Sequence, residues 1–314
     1  MAVINTGLVL KGARSEFFSG LMSAPTYFQD LCTRIPSAID VERYRWLGSN
    51  AMMREWTGPR QTAPLYPESY DVANLKYEAT MEVDRTELED DQTAQIGIRA
   101  RGLGIVAGTH KDKLLGNLLI AGSAGTAYPY DSATIPFFHA SHVIRKTLST
   151  QSNTTTSVAA CSDPIITLTA TEAKDAIMAA IARMRSMLNE QGEPIYIGPG
   201  GFKCVVPPVY ELPFLEATQA GIVVSTTNVI QGIADVVVNP WLTTPTSTGI
   251  WYLLYTGGPI RPFIFQDRTS LDFVALEGNS EHGFTNDKYL YGVRARYAIA
   301  NGEYRYAVQH TFTT

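Results

Sequence analysis

From residue 75 to residue 83, apolar and polar side chains alternate without a break: Leu75, Tyr77, Ala79, Met81 and Val83 against Lys76, Glu78, Thr80 and Glu82. Period two predicts a strand with one face buried and one in water. The strand runs without a turn into Thr86-Glu87-Leu88-Glu89. There Thr86 can cap free N–H groups and Glu89 can reach back, a capping box that predicts a helix from residue 86 to residue 107. Gly97, Gly102 and Gly104 each cost such a helix about 1 kcal/mol relative to alanine, and are tolerated where another backbone or helix packs close. Leu114, Leu115, Leu118 and Leu119 predict a second helix over 112–121, ended by Gly122.

Before the strand, Gly7, Gly12, Gly20, Pro25 and Pro36 break up residues 1–43, which read as an extended arm with helical pieces. Trp46, Trp56 and neighbouring arginines predict a packed surface element ahead of the strand. Residues 123–168 are rich in Ser and Thr and read as irregular, with 152–157 a loop tip. Thr169 and Glu172 form a second capping-box pattern, followed at helical spacing by Ala173, Ile177, Ile181, Met184 and Leu188. Residues 195–197 and 202–206 predict a strand pair around Gly198-Pro199-Gly200-Gly201, and Pro207-Pro208 opens a helix to residue 218. Further strands are predicted at 235–238, 250–255 and 262–265. The stretch 289–308 alternates and contains Asn301-Gly302, a hairpin signal. The class is α+β.

With 314 residues the chain has ample core for one large domain or two ordinary ones. No apolar run approaches the ~20 residues of a membrane span, and residues 1–11 lack the charged start and cleavage site of a signal peptide. A net charge of −5 argues against a general polyanion binder. Three widely spaced cysteines, Cys32, Cys161 and Cys204, point to a reducing compartment and a cytoplasmic product.

Candidate chemistry is thin. His139 and His142 stand three apart, as two metal ligands on a helix would, but no carboxylate or cysteine follows at ligand spacing, so an ordered loop anchored by Phe137 and Phe138 is the better reading. Gly102, Gly104 and Gly108 have the density of a nucleotide loop but lie inside a helical pattern, and Gly122-Ser123-Ala124-Gly125-Thr126 lacks the lysine of a phosphate loop. Glu87, Glu89, Asp90 and Asp91 suit a helix start. No Gly-x-Ser-x-Gly motif occurs, and Cys204 lies in an apolar strand without a cue for activation. No cofactor and no catalytic site are expected.

Laid in order, several stretches resemble the major head (capsid) subunits of Mu-like bacteriophages. They include Tyr44-Arg45-Trp46-Leu47-Gly48, Arg54-Glu55-Trp56-Thr57-Gly58-Pro59-Arg60 and residues 70–91 with Lys76-Tyr77-Glu78. Later ones are Phe137-Phe138 with His142, Val205-Val206-Pro207-Pro208, Asn239-Pro240-Trp241, Trp251-Tyr252-Leu253-Leu254, residues 261–266 and residues 289–295.

The resemblance implies an HK97-like capsid fold: an N-terminal arm over 1–43, an extended E-loop hairpin over 44–85, a P domain with its spine helix over 86–169, an A domain over 170–260, and a return to the P domain over 261–314. It implies a structural protein that self-assembles into pentamers and hexamers of an icosahedral shell, in the virion, assembled in the host bacterial cytoplasm. Portal, scaffold and decoration proteins and packaged double-stranded DNA are the implied partners, with no sequence specificity and no membrane. The competing readings are a non-viral nanocompartment shell and a metal- or nucleotide-dependent enzyme. The expected intersubunit contacts on the E-loop are Trp56, Leu75, Tyr77, Met81 and Val83. Fully burying Leu75, Met81 and Val83 is worth roughly 5–9 kcal/mol at ~1.5–3 kcal/mol each, against an association cost of about 4–15 kcal/mol. Single contacts of that strength are marginal, as assembly with error correction requires.

Overall fold

The computed structural model describes residues 6–45, 69–89, 95–123, 135–144, 149–157, 168–223, 226–242, 249–276 and 280–313. No described helix is long and apolar enough to cross a membrane. Residues 6–23 form one continuous helix, α1 (Thr6–Ser23), where an extended arm with helical pieces was expected. Strands β1 (Cys32–Pro36), β2 (Val41–Arg45), β3 (Ser69–Ala73) and β4 (Leu75–Asp84) follow. The capping expectation shifts by two residues: the helical turn Arg85–Glu89 is held by Asp84, whose Oδ1 accepts from the Thr86 N–H at 2.8 Å and from the Thr86 hydroxyl at 2.6 Å.

Helix α2 (Gln95–Ala121) replaces the two helices expected over 86–107 and 112–121. Its glycines explain its continuity. A Cβ on Gly104 would sit 2.1 Å from the Phe17 carbonyl oxygen, one on Gly108 2.6 Å from Ala24 Cβ, and one on Gly20 2.1 Å from the Arg101 carbonyl oxygen. So α1 and α2 pack at near backbone contact, and that packing offsets the glycine cost in the helix.

The second half supplies β5 (Thr154–Thr156), α3 (Ala170–Arg185), β6 (Phe202–Val206), α4 (Glu211–Gln219), β7 (Ala234–Val238), β8 (Gly249–Tyr255), β9 (Phe263–Leu276), β10 (Lys288–Asn301) and β11 (Ala307–Phe312). The Thr169–Glu172 capping box of α3 is present in full. One sheet runs β1-β9-β10-β4 and the other β7-β6-β8-β11-β5. Thr154–Thr156 is thus an edge strand, parallel to β11, where a loop tip was expected. Residues 195–197 form no strand; beside an isolated bridge between Leu188 and Pro194, the Ile195 N–H donates to the Met187 carbonyl at 3.0 Å.

The Asn301-Gly302 hairpin does not form. β10 pairs with β9 and β4, while β11 pairs with β8 in the other sheet. The chain crosses between sheets at residues 302–306, beside the opposite crossing at 256–262. Gly302 donates its N–H to the Pro262 carbonyl at 2.9 Å, and a Cβ there would lie 2.8 Å from that oxygen.

Three layers of core result. α3 and α4 cover one face of the second sheet through Ile177, Ile181, Phe214 and Trp251. The C-terminal half of α2, with Phe137 and Phe138, fills the junction of the two sheets against Tyr252, Phe263 and Tyr304. α1 and the N-terminal half of α2 cover the first sheet through Phe17, Ala100, Phe273 and Tyr291.

Candidate assembly surface

The strand that opened the sequence reading is an edge of the first sheet. β4 pairs with β10 on one side, from Leu75 opposite Tyr297 to Asp84 opposite Lys288, and no described strand pairs with its other side. An unpaired edge is a template for another chain unless it is blunted. The alternation holds, but the chain itself covers most of the apolar face. Val83 is buried among α1, α2 and β10, and Ala79 and Met81 are half-buried against the same cluster. Tyr77 is half-buried, its ring 4.7 Å from those of Tyr297 and His110. Leu75 is the outlier at 55% exposure. Of the five expected contact residues, then, Leu75 faces solvent, Tyr77 and Met81 are shared with the core, and Val83 belongs to it. Trp56 lies outside the described residues.

Just before β4, strands β2 and β3 form an antiparallel hairpin closed by Arg45 opposite Ser69. Its base is tied to the first sheet: the Tyr44 hydroxyl donates to Gln266 Oε1 at 2.8 Å, and Gln266 Nε2 donates to the Val72 carbonyl at 3.2 Å. Asn74 Nδ2 donates to Ser37 Oγ and to the Ile39 carbonyl, holding the corner where β3 turns into β4. Ile39 and Val41, at 56% and 42% exposure, stand with Leu75 around this base. A strand pair tied to the first sheet, with exposed apolar residues beside it, is geometry suited to contact with another molecule.

The other candidates resolve into structure. His142 is buried, its ring stacked on Tyr304 at 4.0 Å with Nε2 at 3.1 Å from the Phe137 carbonyl oxygen. The adjoining loop is pinned by Asn153, which donates to the Phe137 carbonyl at 2.9 Å and accepts from the His139 N–H at 2.8 Å. No described group of three His, Cys, Asp or Glu side chains is placed to hold a metal ion. Gly102, Gly104 and Gly108 lie within α2. Glu87 pairs with Arg99 at 3.7 Å. Cys32 and Cys204 are buried thiols, and burial pushes both well above the ordinary thiol range. Cys161, Asp90 and Asp91 lie outside the described residues.

One buried acid escaped the sequence reading. Asp112 is fully buried on α2, and its Oδ1 accepts from the Tyr27 and Phe28 N–H groups at 3.3 and 2.8 Å, tying the turn after α1 to the long helix. Burial raises its carboxyl to about 6, against the pull of those two donors and of Lys111. Between the unfolded value of 3.8 and about 6 the folded state holds a proton that the unfolded state has lost, so stability falls as pH rises through that window. An Asp112→Asn variant is expected to flatten the profile of unfolding free energy against pH between those values, by on the order of 1–3 kcal/mol. A profile as steep as wild type would contradict this role.

Comparison with known proteins decides the family. The family described as the Mu-like prophage major head subunit gpT matches residues 7–173 and 243–313. The chain belongs to this family. Its members are structural head subunits, not enzymes. Among curated relatives, the Mu-like prophage FluMu major head subunit of Haemophilus influenzae is 30% identical over 117 residues, 37% of this chain and 38% of that protein. The major capsid protein of Escherichia phage Mu is 28% identical over 115 residues, again 37% and 38%. The match therefore spans well under half the length of either relative. Among solved structures, a subunit of the procapsid of bacteriophage JBD30 covers all of this chain and 76% of its own length, with a TM-score of 0.57 at 22% identity. A virus-like particle from Pyrococcus furiosus covers 96% of this chain and 98% of its own, with a TM-score of 0.56 at 10% identity. At these identities the likeness is one of fold, and the fold is α+β of the HK97-like capsid type.

Proposed function

We propose that this head subunit assembles with copies of itself into the pentamers and hexamers of an icosahedral shell that encloses double-stranded DNA without reading its sequence. The observation that carries this reading is the family match over residues 7–173 and 243–313. In this account residues 1–43 are the N-terminal arm, 44–85 the E-loop, 86–169 the P domain with its spine helix, 170–260 the A domain, and 261–314 the return to the P domain. The shell forms in the cytoplasm of the host bacterium, ends in the virion, and works with portal, scaffold and decoration proteins.

The hairpin and the Leu75 end of β4 supply the contact between copies, with Trp56, Tyr77 and Met81 contributing beside Leu75. Val83 acts from within, holding β4 to its own subunit. This division sets the test. Leu75→Asp is expected to keep the wild-type melting temperature and to reduce particle yield sharply in sedimentation, because a charge enters an exposed contact. Val83→Asp is expected to unfold the chain, since a carboxylate without a partner enters the core. Normal particles from Leu75→Asp would remove Leu75 from the interface.

A further inference from the structure

A recess of about 890 Å³ opens where β1 ends beside β9, between the first sheet and the last turns of α1. Its apolar walls include Phe28, Phe265 and Leu271, and its charged groups are Lys111, Arg34, Arg261 and Asp267. Two of these cations are engaged. Arg34 pairs with Asp267, and the Arg261 guanidinium donates to the carbonyls of Gln29 and Cys32. Lys111 is different. Its ammonium stands over the rings of Phe28, Phe265 and Tyr297, 4.9, 5.2 and 5.6 Å from their centres, and no described carboxylate pairs with it. Burial pulls its pKa below the ordinary lysine value, and Asp267 restores it only in part. A half-buried cation that has lost water and gained only ring faces is where an incoming carboxylate gains most.

The chain itself carries the matching charge. Four of the five residues in Glu87-Leu88-Glu89-Asp90-Asp91 are acidic. A subunit does not bring this run to its own recess. Glu87 pairs with Arg99 near the start of α2, which places the run there. Lys111 lies sixteen residues beyond Gln95, the first residue of that helix, or ~24 Å at 1.5 Å per residue. Run and recess stand toward opposite ends of one long helix, so the contact needs two copies. A patch and its complement at opposite ends of a subunit meet head to tail, and such contacts close into a ring when each step rotates. The proposed pentamers and hexamers are rings of that kind. Duplex DNA fits less well, because the exposed cation Arg34 is already paired and Lys111 stands among rings that offer a sugar-phosphate surface nothing. We propose that the recess around Lys111 of one copy receives the acidic run of a second copy, with Glu89, Asp90 and Asp91 supplying the carboxylates while Glu87 stays with Arg99. The inference rests on the head-subunit reading and deepens it by naming a further contact between copies.

Charge reversal in the full chain tests the pairing. Lys111→Glu is expected to lower particle yield in sedimentation by about tenfold or more, and Asp90→Lys with Asp91→Lys to do the same. Combining all three substitutions is expected to restore the yield, because the signs match again. Lys111→Met keeps the packing over the rings without the charge and is also expected to assemble poorly, so the contact is still read if Lys111→Glu fails to fold. Circular dichroism checks each variant. In wild-type particles, a zero-length carbodiimide is expected to join Lys111 of one copy to an acid of the run in another, as read by mass spectrometry of the digested dimer. Single variants that assemble normally, a combined variant no better than its parents, or Lys111 joined to none of these acids overturns the inference. Normal assembly with a reduced DNA content also overturns it, by assigning Lys111 to DNA. Any of these outcomes beside wild-type particles refutes this contact alone. A wild-type chain that forms no particles under any condition refutes the head-subunit reading, and the contact with it.

Discussion

Replacing Arg305 with methionine is expected to destabilise the chain by ~3–5 kcal/mol, the range measured when one partner is removed from a buried ion pair. Arg305 is 1% exposed and lies between Glu190 and Glu303, which are 3% and 6% exposed. Its Nη2 meets Glu190 Oε1, and its Nε lies 3.1 Å from Glu303 Oε1. The methionine fills similar volume but leaves two buried carboxylates facing each other. The cluster stands at residues 302–306, where the chain passes from the first sheet to the second, so its loss also loosens the joint between the sheets. Urea unfolding followed by fluorescence of the buried Trp251 measures the change. A loss under ~1 kcal/mol would mean that the cluster is no more than a surface-type pair.

The second large effect is a reversal of sign between two glycines two residues apart. Gly104→Ala places a methyl group 2.1 Å from the Phe17 carbonyl oxygen, and relief requires α1 to move off α2. Overpacking of this kind costs about 1–3 kcal/mol, beyond the ~1 kcal/mol that alanine returns in helix propensity. Gly102→Ala meets open space and is expected to raise stability by about 0.5–1 kcal/mol. Limited proteolysis near residues 24–27 should accelerate in the first variant alone, because the turn there depends on α1 staying docked. Changes of the same sign would mean that the close approach of the two helices does not constrain the fold.

Elements that depend on local chemistry were legible in the sequence. The alternation at 75–83 is β4, the Thr169–Glu172 box begins α3, and Pro207-Pro208 opens the turn that leads into α4. The misreadings share a cause, which is a distant partner overriding a local signal. Gly20, which read as a break in the arm, is with Gly104 and Gly108 where α1 and α2 meet. Asn301-Gly302 carries a turn signal, but pairing with β8 draws β11 into the other sheet. Thr154–Thr156 has no apolar pattern and becomes a strand only through the backbone of β11.

The contact surface was half legible for a related reason. Periodicity identifies an apolar face but not what covers it, and for Val83 the cover is α1, α2 and β10 of the same chain. Leu75 escapes because it lies at the far end of β4, beyond the reach of α1. Asp112 gave no cue, as one acid among leucines, until the turn at Tyr27 was placed against it.

The central claim is that this chain completes its surface with copies of itself, and cryo-electron microscopy of the wild-type protein expressed alone tests it most directly. The account predicts closed shells of pentamers and hexamers, with the β2–β3 hairpin lying against a neighbouring subunit and Leu75 covered there. A uniform population of single subunits at high concentration, or shells in which that hairpin lies on its own subunit with Leu75 bare, would contradict it.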